Sequence, residues 1–264
     1  MLRKLLLSFR RINLLVEPTL RHYFVYARAL YYVRGLRQLR TLQSDAAVKT
    51  NTSHNLKSLY GANNRMNLLL FPLAIIETLG RDARILVIGP RNENDLFTLV
   101  GLGFKLKNLR GLDLISYSPY IVLGDMHAIP FADSDFDAVV CGWTLSYSTE
   151  PQRAAKEMAR VLRPGGVLAI GVEYSTMGPE DERQLIGYEI QEFEKIGRRI
   201  NSTAQIKSLF GESVNTVYFE HDAPLKISHS ASGLVESVSN VAMVFSLNQP
   251  SPVTLAAVAM EVSQ

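Results

Sequence analysis

Two short apolar runs, Tyr120 to Leu123 and Ala138 to Cys141, restrict this chain most; the acidic turn Ala132-Asp133-Ser134-Asp135 lies between them. Each is too short for a helix and shows no polar alternation, so each reads as a strand buried on both faces. The first stops at Gly124-Asp125-Met126-His127, which gathers polar side chains where the strand ends. Upstream, Arg84 to Ile88 breaks at Gly89-Pro90 before a helix over Asp95 to Leu102, and Leu109 to Leu114 carries Asp113 at its end. Downstream, Thr149 with Gln152 reads as a capping box for a helix reaching Leu162, with Ala155, Met158, Ala159 and Leu162 toward the sheet. Pro164-Gly165-Gly166 then turns the chain into a strand over Val167 to Tyr174. Strands alternating with helices build a doubly wound α/β sheet, whose ligand crevice lies at the carboxyl edge.

The flanks read differently. Residues 1–40 hold nine Lys or Arg and one acid, Glu17, so a chain of net charge +3 carries +8 in this segment and −5 elsewhere. A mildly acidic body gives no reason to expect nucleic acid. Leu2, Leu5, Leu6, Phe9 and Ile12 recur at helical spacing among arginines. Such a basic amphipathic segment suits a membrane surface; the plainer reading is a helical cap on the body, its arginines solvated or paired. A third reading is a transit peptide, since the first 16 residues bear Arg and lack acids. No apolar run approaches the roughly 18 residues that a spanning helix needs. The expected organisation is a basic helical extension over 1–42, a polar linker over 43–65 and one domain over 66–264 that opens with a helix from Met66 to Leu79. One cysteine, Cys141, rules out an internal disulfide, and five scattered histidines show no H-x-x-x-H pair, so no metal is implied.

With Asp125 to Asp137 followed by Arg163-Pro164-Gly165-Gly166, the span Ile85 to Glu173 resembles the class I S-adenosylmethionine-dependent methyltransferases of the small-molecule type. The resemblance implies a Rossmann-like sheet of seven strands with the last antiparallel, and S-adenosylmethionine as cofactor. It assigns Asp113 to the ribose hydroxyls, Asp125 to the adenine amine, Met126 to the adenine ring, and Trp143 with Tyr147 to the methyl-transfer pocket. The departure is in the glycine turn: only Gly89 of the usual triplet stands, Arg91 and Glu93 occupy the other two places, and Val87 replaces the usual strand acid. One reading has Glu93 or Asn92 meeting the cofactor's ammonium and Arg91 its carboxylate; the other is a site that holds no cofactor. Only Ile115 to Pro119 precede the third strand, too few for a helical crossover, so that helix is expected to be missing and the strand short or displaced.

Beyond Tyr174, Asp181 to Arg199 and Ser202 to Phe210 read as helices, the second capped by Ser202 with Gln205. Val214 to Glu220 and Val238 to Leu247 read as an antiparallel pair at the sheet edge. His127, Tyr147 and His229 are the candidate catalytic groups, and His221 is a further candidate base; methyl transfer to an alcohol also proceeds by proximity alone. The functional expectation is methyl transfer to an oxygen or nitrogen of a small molecule or saccharide, in the cytoplasm with peripheral membrane contact through residues 1–42. The alternative is a non-catalytic scaffold of the same fold, bound to a membrane surface or partner.

Overall fold

A computed structural model describes residues 15–45, 56, 59–61, 66–175, 200–222, 227–229 and 235–248, with backbone alone for 175, 227–229 and 235–239. The expected helices over 2–12 and 181–199, nearly all of the loop over 175–182 and the apolar tail over 253–262 lie outside these residues.

In chain order the elements are α1 (Pro18–Leu30), β1 (Arg40–Thr41), α2 (Asn67–Ala74), β2 (Ile85–Ile88), α3 (Asn94–Gly101), β3 (Leu109–Asp113), β4 (Ile115–Ser116), β5 (Ile121–Leu123) and β6 (Phe136–Gly142). Then come α4 (Pro151–Val161), β7 (Leu162–Ser175), α5 (Thr203–Phe210), β8 (Val214–Asp222), β9 (Ile227–His229) and β10 (Val235–Leu247). The main sheet runs β5-β3-β2-β6-β7-β10-β8, with β9 added alongside β10. Strands β5, β3, β2, β6 and β7 are parallel, and β10 is antiparallel to β7 and to β8. The last strand is therefore antiparallel, as the resemblance implies.

Alternation along each central strand divides the core into two. Ile85 and Val87, Ala138 and Val140, and Val167 and Ala169 face one layer with Leu69, Leu70 and Leu73 of α2 and Leu96 and Leu99 of α3. Leu86 and Ile88, Val139 and Cys141, and Leu168 and Ile170 face the other, against Met158 of α4 and Ile206 of α5. A parallel strand covered on both faces has no polar side to show, which is why these strands read as unbroken apolar runs.

Local departures have local causes. The helix expected from Met66 to Leu79 spans only Asn67–Ala74, with Pro72 inside it. The capping box does not form: Glu150 is the N-cap with no side-chain bond, since Pro151 opens α4 one residue later than the box requires. Gln152 instead donates its amide to Leu209 O (3.0 Å), and Ser148 Oγ accepts from Glu150 N (3.0 Å). The buried face of α4 is Ala154, Ala155, Met158 and Val161, one register step from expectation. Ser202 does cap α5, accepting from Gln205 N.

No helix separates β3 from β5, and β5 is only three residues long. The N-terminal helix covers the ground this leaves. Ala29, with Tyr32 and Val33 packed beside it, belongs to the cluster that holds Leu109, Ile115, Tyr117 and Ile121. Arg40 and Thr41 extend the contact as β1, antiparallel to Ser116 and Ile115 of β4. Among the described residues no helix is long and apolar enough to cross a membrane.

Candidate active site

At the carboxyl edge, β2 ends in a tight turn. Gly89 adopts φ +67°, and an added Cβ there would lie 1.9 Å from Thr144 Oγ1, so no other residue fits. Arg91 is also left-handed, φ +57°, at a place where the family pattern puts glycine. Its amide donates to Asp113 Oδ2 (2.8 Å), while Asp113 Oδ1 accepts from Ile115 N (3.1 Å). Burial raises the Asp113 carboxyl to about 6, with the amide bonds from Arg91 and Ile115 acting the other way.

Across the crevice Asp125 follows β5. Partial burial pushes its carboxyl up, but hydrogen bonds from His127 and Ser44 outweigh that and hold it at about 2. Oδ1 accepts from the His127 amide (2.9 Å) and contacts Nδ1 (2.5 Å); the Ser44 hydroxyl donates to Oδ2. His127 is buried, and its Nε2 lies 2.6 Å from Ser148 Oγ. Ser148 Oγ also accepts from Glu150 N, and the ionised Asp125 Oδ1 beside Nδ1 calls for a proton on that nitrogen. Both ring nitrogens are thereby engaged.

These groups line one cleft of about 610 Å³, counting space at its mouth, together with Gly89, Arg91, Met126, Trp143 and Tyr147. Trp143, buried with φ +61°, is anchored by its amide to Gly171 O (2.7 Å). Arg91 Nε is buried without a hydrogen-bond partner among the described residues, and Arg91 also lines a smaller adjoining cleft. Among the described residues no cluster of His, Cys, Asp or Glu suits a metal ion. Burial pushes the Cys141 thiol up to about 12, leaving it unreactive.

Glu93 departs from expectation. Its carboxylate is fully buried and bound in bidentate fashion by Arg28 of α1, at 2.6 and 2.9 Å. A carboxylate at the start of α3 cannot stay ionised in a dry site without a cation, and α1 brings one. The guanidinium is also stacked among Phe24, Tyr32, Phe97 and Tyr120, 5.2–5.7 Å from each ring centre. Two more side chains of the turn are engaged: Asn92 donates to Leu59 O and Gly61 O of the linker, and Asn94 Oδ1 accepts from Arg21 Nε of α1. Of the residues expected to meet an ammonium, Glu93 therefore holds α1 and Asn92 the linker.

Residues 105–170 match the family described as methyltransferase domain. Over that span the chain is similar to methyltransferases. A biotin biosynthesis bifunctional protein of Teredinibacter turnerae is 30% identical over 122 residues, 45% of this chain and 20% of that protein. A ubiquinone/menaquinone biosynthesis C-methyltransferase of Roseobacter denitrificans is 32% identical over 111 residues, 42% of this chain and 44% of that one. The matches thus span less than half the length of either relative. Among solved structures, a chain of the complex containing the Haloferax volcanii Trm112 methyltransferase activator shares the fold, with TM-score 0.50 and 15% identity over 76% of this chain and 96% of that one.

The cleft at the carboxyl edge gathers most of the residues that the sequence singled out, and Glu93 is not among its lining residues. His229 lies on β9, paired with Val235; His221, on β8, stacks on Phe219. Sequence reasoning missed Ser44, which comes from the linker to Asp125, and Arg28, which reaches 65 residues along the chain to Glu93. Neither has a local signal, because both partners are set by how α1 and β1 dock.

Proposed function

We propose that this chain transfers a methyl group from S-adenosylmethionine to an oxygen or nitrogen of a small molecule or saccharide. The observation that carries the reading is the convergence of Asp113 and Asp125 on one cleft at the carboxyl edge of β3 and β5, with Arg91 beside them. The residues suit the donor. Asp113 accepts from ribose hydroxyls with lone pairs that its amide donors leave free. Asp125, kept ionised by its own hydrogen bonds, accepts from the adenine amine, and Met126 packs on the ring. The buried, unpartnered Nε of Arg91 supports that side chain as the carboxylate ligand. When bound, the sulfonium supplies an electrophilic methyl group. Trp143 and Tyr147 wall the space where an acceptor aligns, and alignment with exclusion of water is the protein's share of the work. His127 is held at both nitrogens, so the acceptor's proton leaves by another route.

The Roseobacter relative's name speaks of C-methylation, which makes carbon the competing acceptor atom. Calorimetric titration tests the cofactor reading: S-adenosylmethionine and its demethylated product should both bind, and Asp113→Ala should weaken each by about 1.5–3 kcal/mol. Assays with radiolabelled methyl donor on hydroxyl, amine and ring-carbon acceptors then sort the acceptor atom. A second reading, a non-catalytic scaffold, draws on the engagement of Glu93 by Arg28; absence of heat with both ligands selects it. In either reading the protein is cytoplasmic, with residues 1–42 meeting a membrane surface.

A further inference from the structure

Residues 31–42 carry a pattern that the fold does not use. Arg34, Arg37 and Arg40 recur at every third position, and Leu36, Leu39 and Leu42 do the same two places later. All six are exposed, the leucines to 44%, 36% and 37%. Among the described residues none of the three guanidinium groups forms an ion pair. Leading into the segment, Leu20 and Tyr23 of α1 are exposed, as are Val16 before it and Tyr31 after it, with 49%, 65%, 57% and 58% of their surface free.

The segment is ordered by its backbone. Leu36 N and Gln38 N donate to Tyr31 O and Tyr32 O (2.8 and 3.0 Å), Leu42 N donates to Leu114 O (2.8 Å), and Arg40 and Thr41 form β1. Main-chain bonds thus hold a ribbon whose long side chains are left outside. Arg37 and Arg40 also flank an open cleft of about 970 Å³, counting space at its mouth, lined as well by Tyr32, Tyr117 and Ser118.

The geometry points to docking of this ribbon on an anionic phospholipid bilayer, with a headgroup phosphate between Arg37 and Arg40 and the three leucines at the headgroup–acyl boundary. This names the lipid class and contact residues of the membrane-surface reading above and rests on it. The chemistry favours a bilayer over an acidic protein. Interleaved Leu and Arg give an apolar set and a cationic set on one short ribbon, which matches a surface whose acyl boundary lies just beneath its phosphates. Arginine stems also lie along apolar surface while their heads stay wet.

The test is flotation of the full-length protein with vesicles of phosphatidylcholine alone, or with about a third phosphatidylserine. The parent should rise with the anionic vesicles at low salt, sink at high salt, and ignore the neutral ones. R34Q/R37Q/R40Q should lower partitioning about a hundredfold, at roughly fivefold per arginine near such a surface. L36S/L39S/L42S should weaken it while keeping the salt dependence, and circular dichroism should match the parent for both. If the arginine variant floats like the parent, or the parent does not float, the proposal falls. It falls too if millimolar inorganic phosphate strips the parent from vesicles at constant ionic strength, since the cleft would then serve a soluble anion. Titration of the same preparations with S-adenosylmethionine is independent, so failure of docking and failure of the methyl-transfer reading are told apart.

Discussion

Replacing Arg28 by alanine tests whether the N-terminal helix shapes the donor turn. The Glu93 carboxylate has no exposed surface, and Arg28 supplies both of its short contacts. Removing one partner of a buried pair typically costs about 3–5 kcal/mol, because the other charge stays desolvated. Protonation offers an escape that caps this loss: neutralising an ordinary glutamate at pH 7 costs roughly 1.4 kcal/mol for each of about 2.7 pH units, or roughly 3.7 kcal/mol. Arg28→Ala should therefore lower stability by about 3–4 kcal/mol, or ~6–15 °C in Tm for a chain of this size. In the variant a lone buried carboxyl has its folded pKa raised, so the deficit is present at neutral pH. It should shrink as pH falls toward about 4, where the unfolded chain is protonated too. Urea melts at pH 7.5 and pH 4.5 read this directly. Arg28→Met with Glu93→Met should recover most of the loss, since apolar replacement of both partners is often near neutral. Titration adds the functional readout: S-adenosylmethionine should weaken more than 5′-methylthioadenosine, which lacks the amino-acid end assigned to the turn in the proposed function. A loss under about 1 kcal/mol without pH dependence, or equal weakening of both ligands, would refute the reasoning.

Three further outcomes are expected. Affinity for S-adenosylmethionine should fall as pH drops below about 6, approaching tenfold per unit, because Asp113 must be ionised to accept from the ribose; Asp113→Asn should flatten that profile. The stability term has the sign of a raised carboxyl: the contribution of Asp113 is full below about 3.9 and is lost as pH rises through about 6, which Asp113→Asn melts between pH 4 and 7 would check. Arg91→Ala should weaken S-adenosylmethionine by about 1.5–3 kcal/mol and leave 5′-methylthioadenosine unchanged by calorimetry. Gly89→Ala places a methyl group 1.9 Å from Thr144 Oγ1 at φ +67° and should cost roughly 1–3 kcal/mol in thermal melts.

The layered fold was legible because its signals are local. Four-residue apolar runs gave β2 and the centre of β6, an Asp at a strand end marked the crevice, and the five residues before β5 left no room for a helix. The same locality explains the misses. The box Thr149–Gln152 obeyed a local rule and lost to a neighbour, Pro151. Glu93 was matched to a ligand charge because Arg28, its partner, lies 65 residues away, and Ser44 reaches Asp125 across 81. A single sequence shows which residues are charged at the crevice; packing decides which of them are already taken.

The absent crossover also bears on the order in which the molecule assembles. In a sheet whose every helix lies between the strands it covers, each unit closes on chain just made. Here α1, near the start of the chain, roofs a strand pair completed near residue 123. Its contacts with Glu93 and Asn94 span 65 and 73 residues, and loops of that length close late. During synthesis the helix and its exposed stripe must therefore wait, undocked, while about a hundred residues follow. The turn below β2 takes its final shape only when that wait ends.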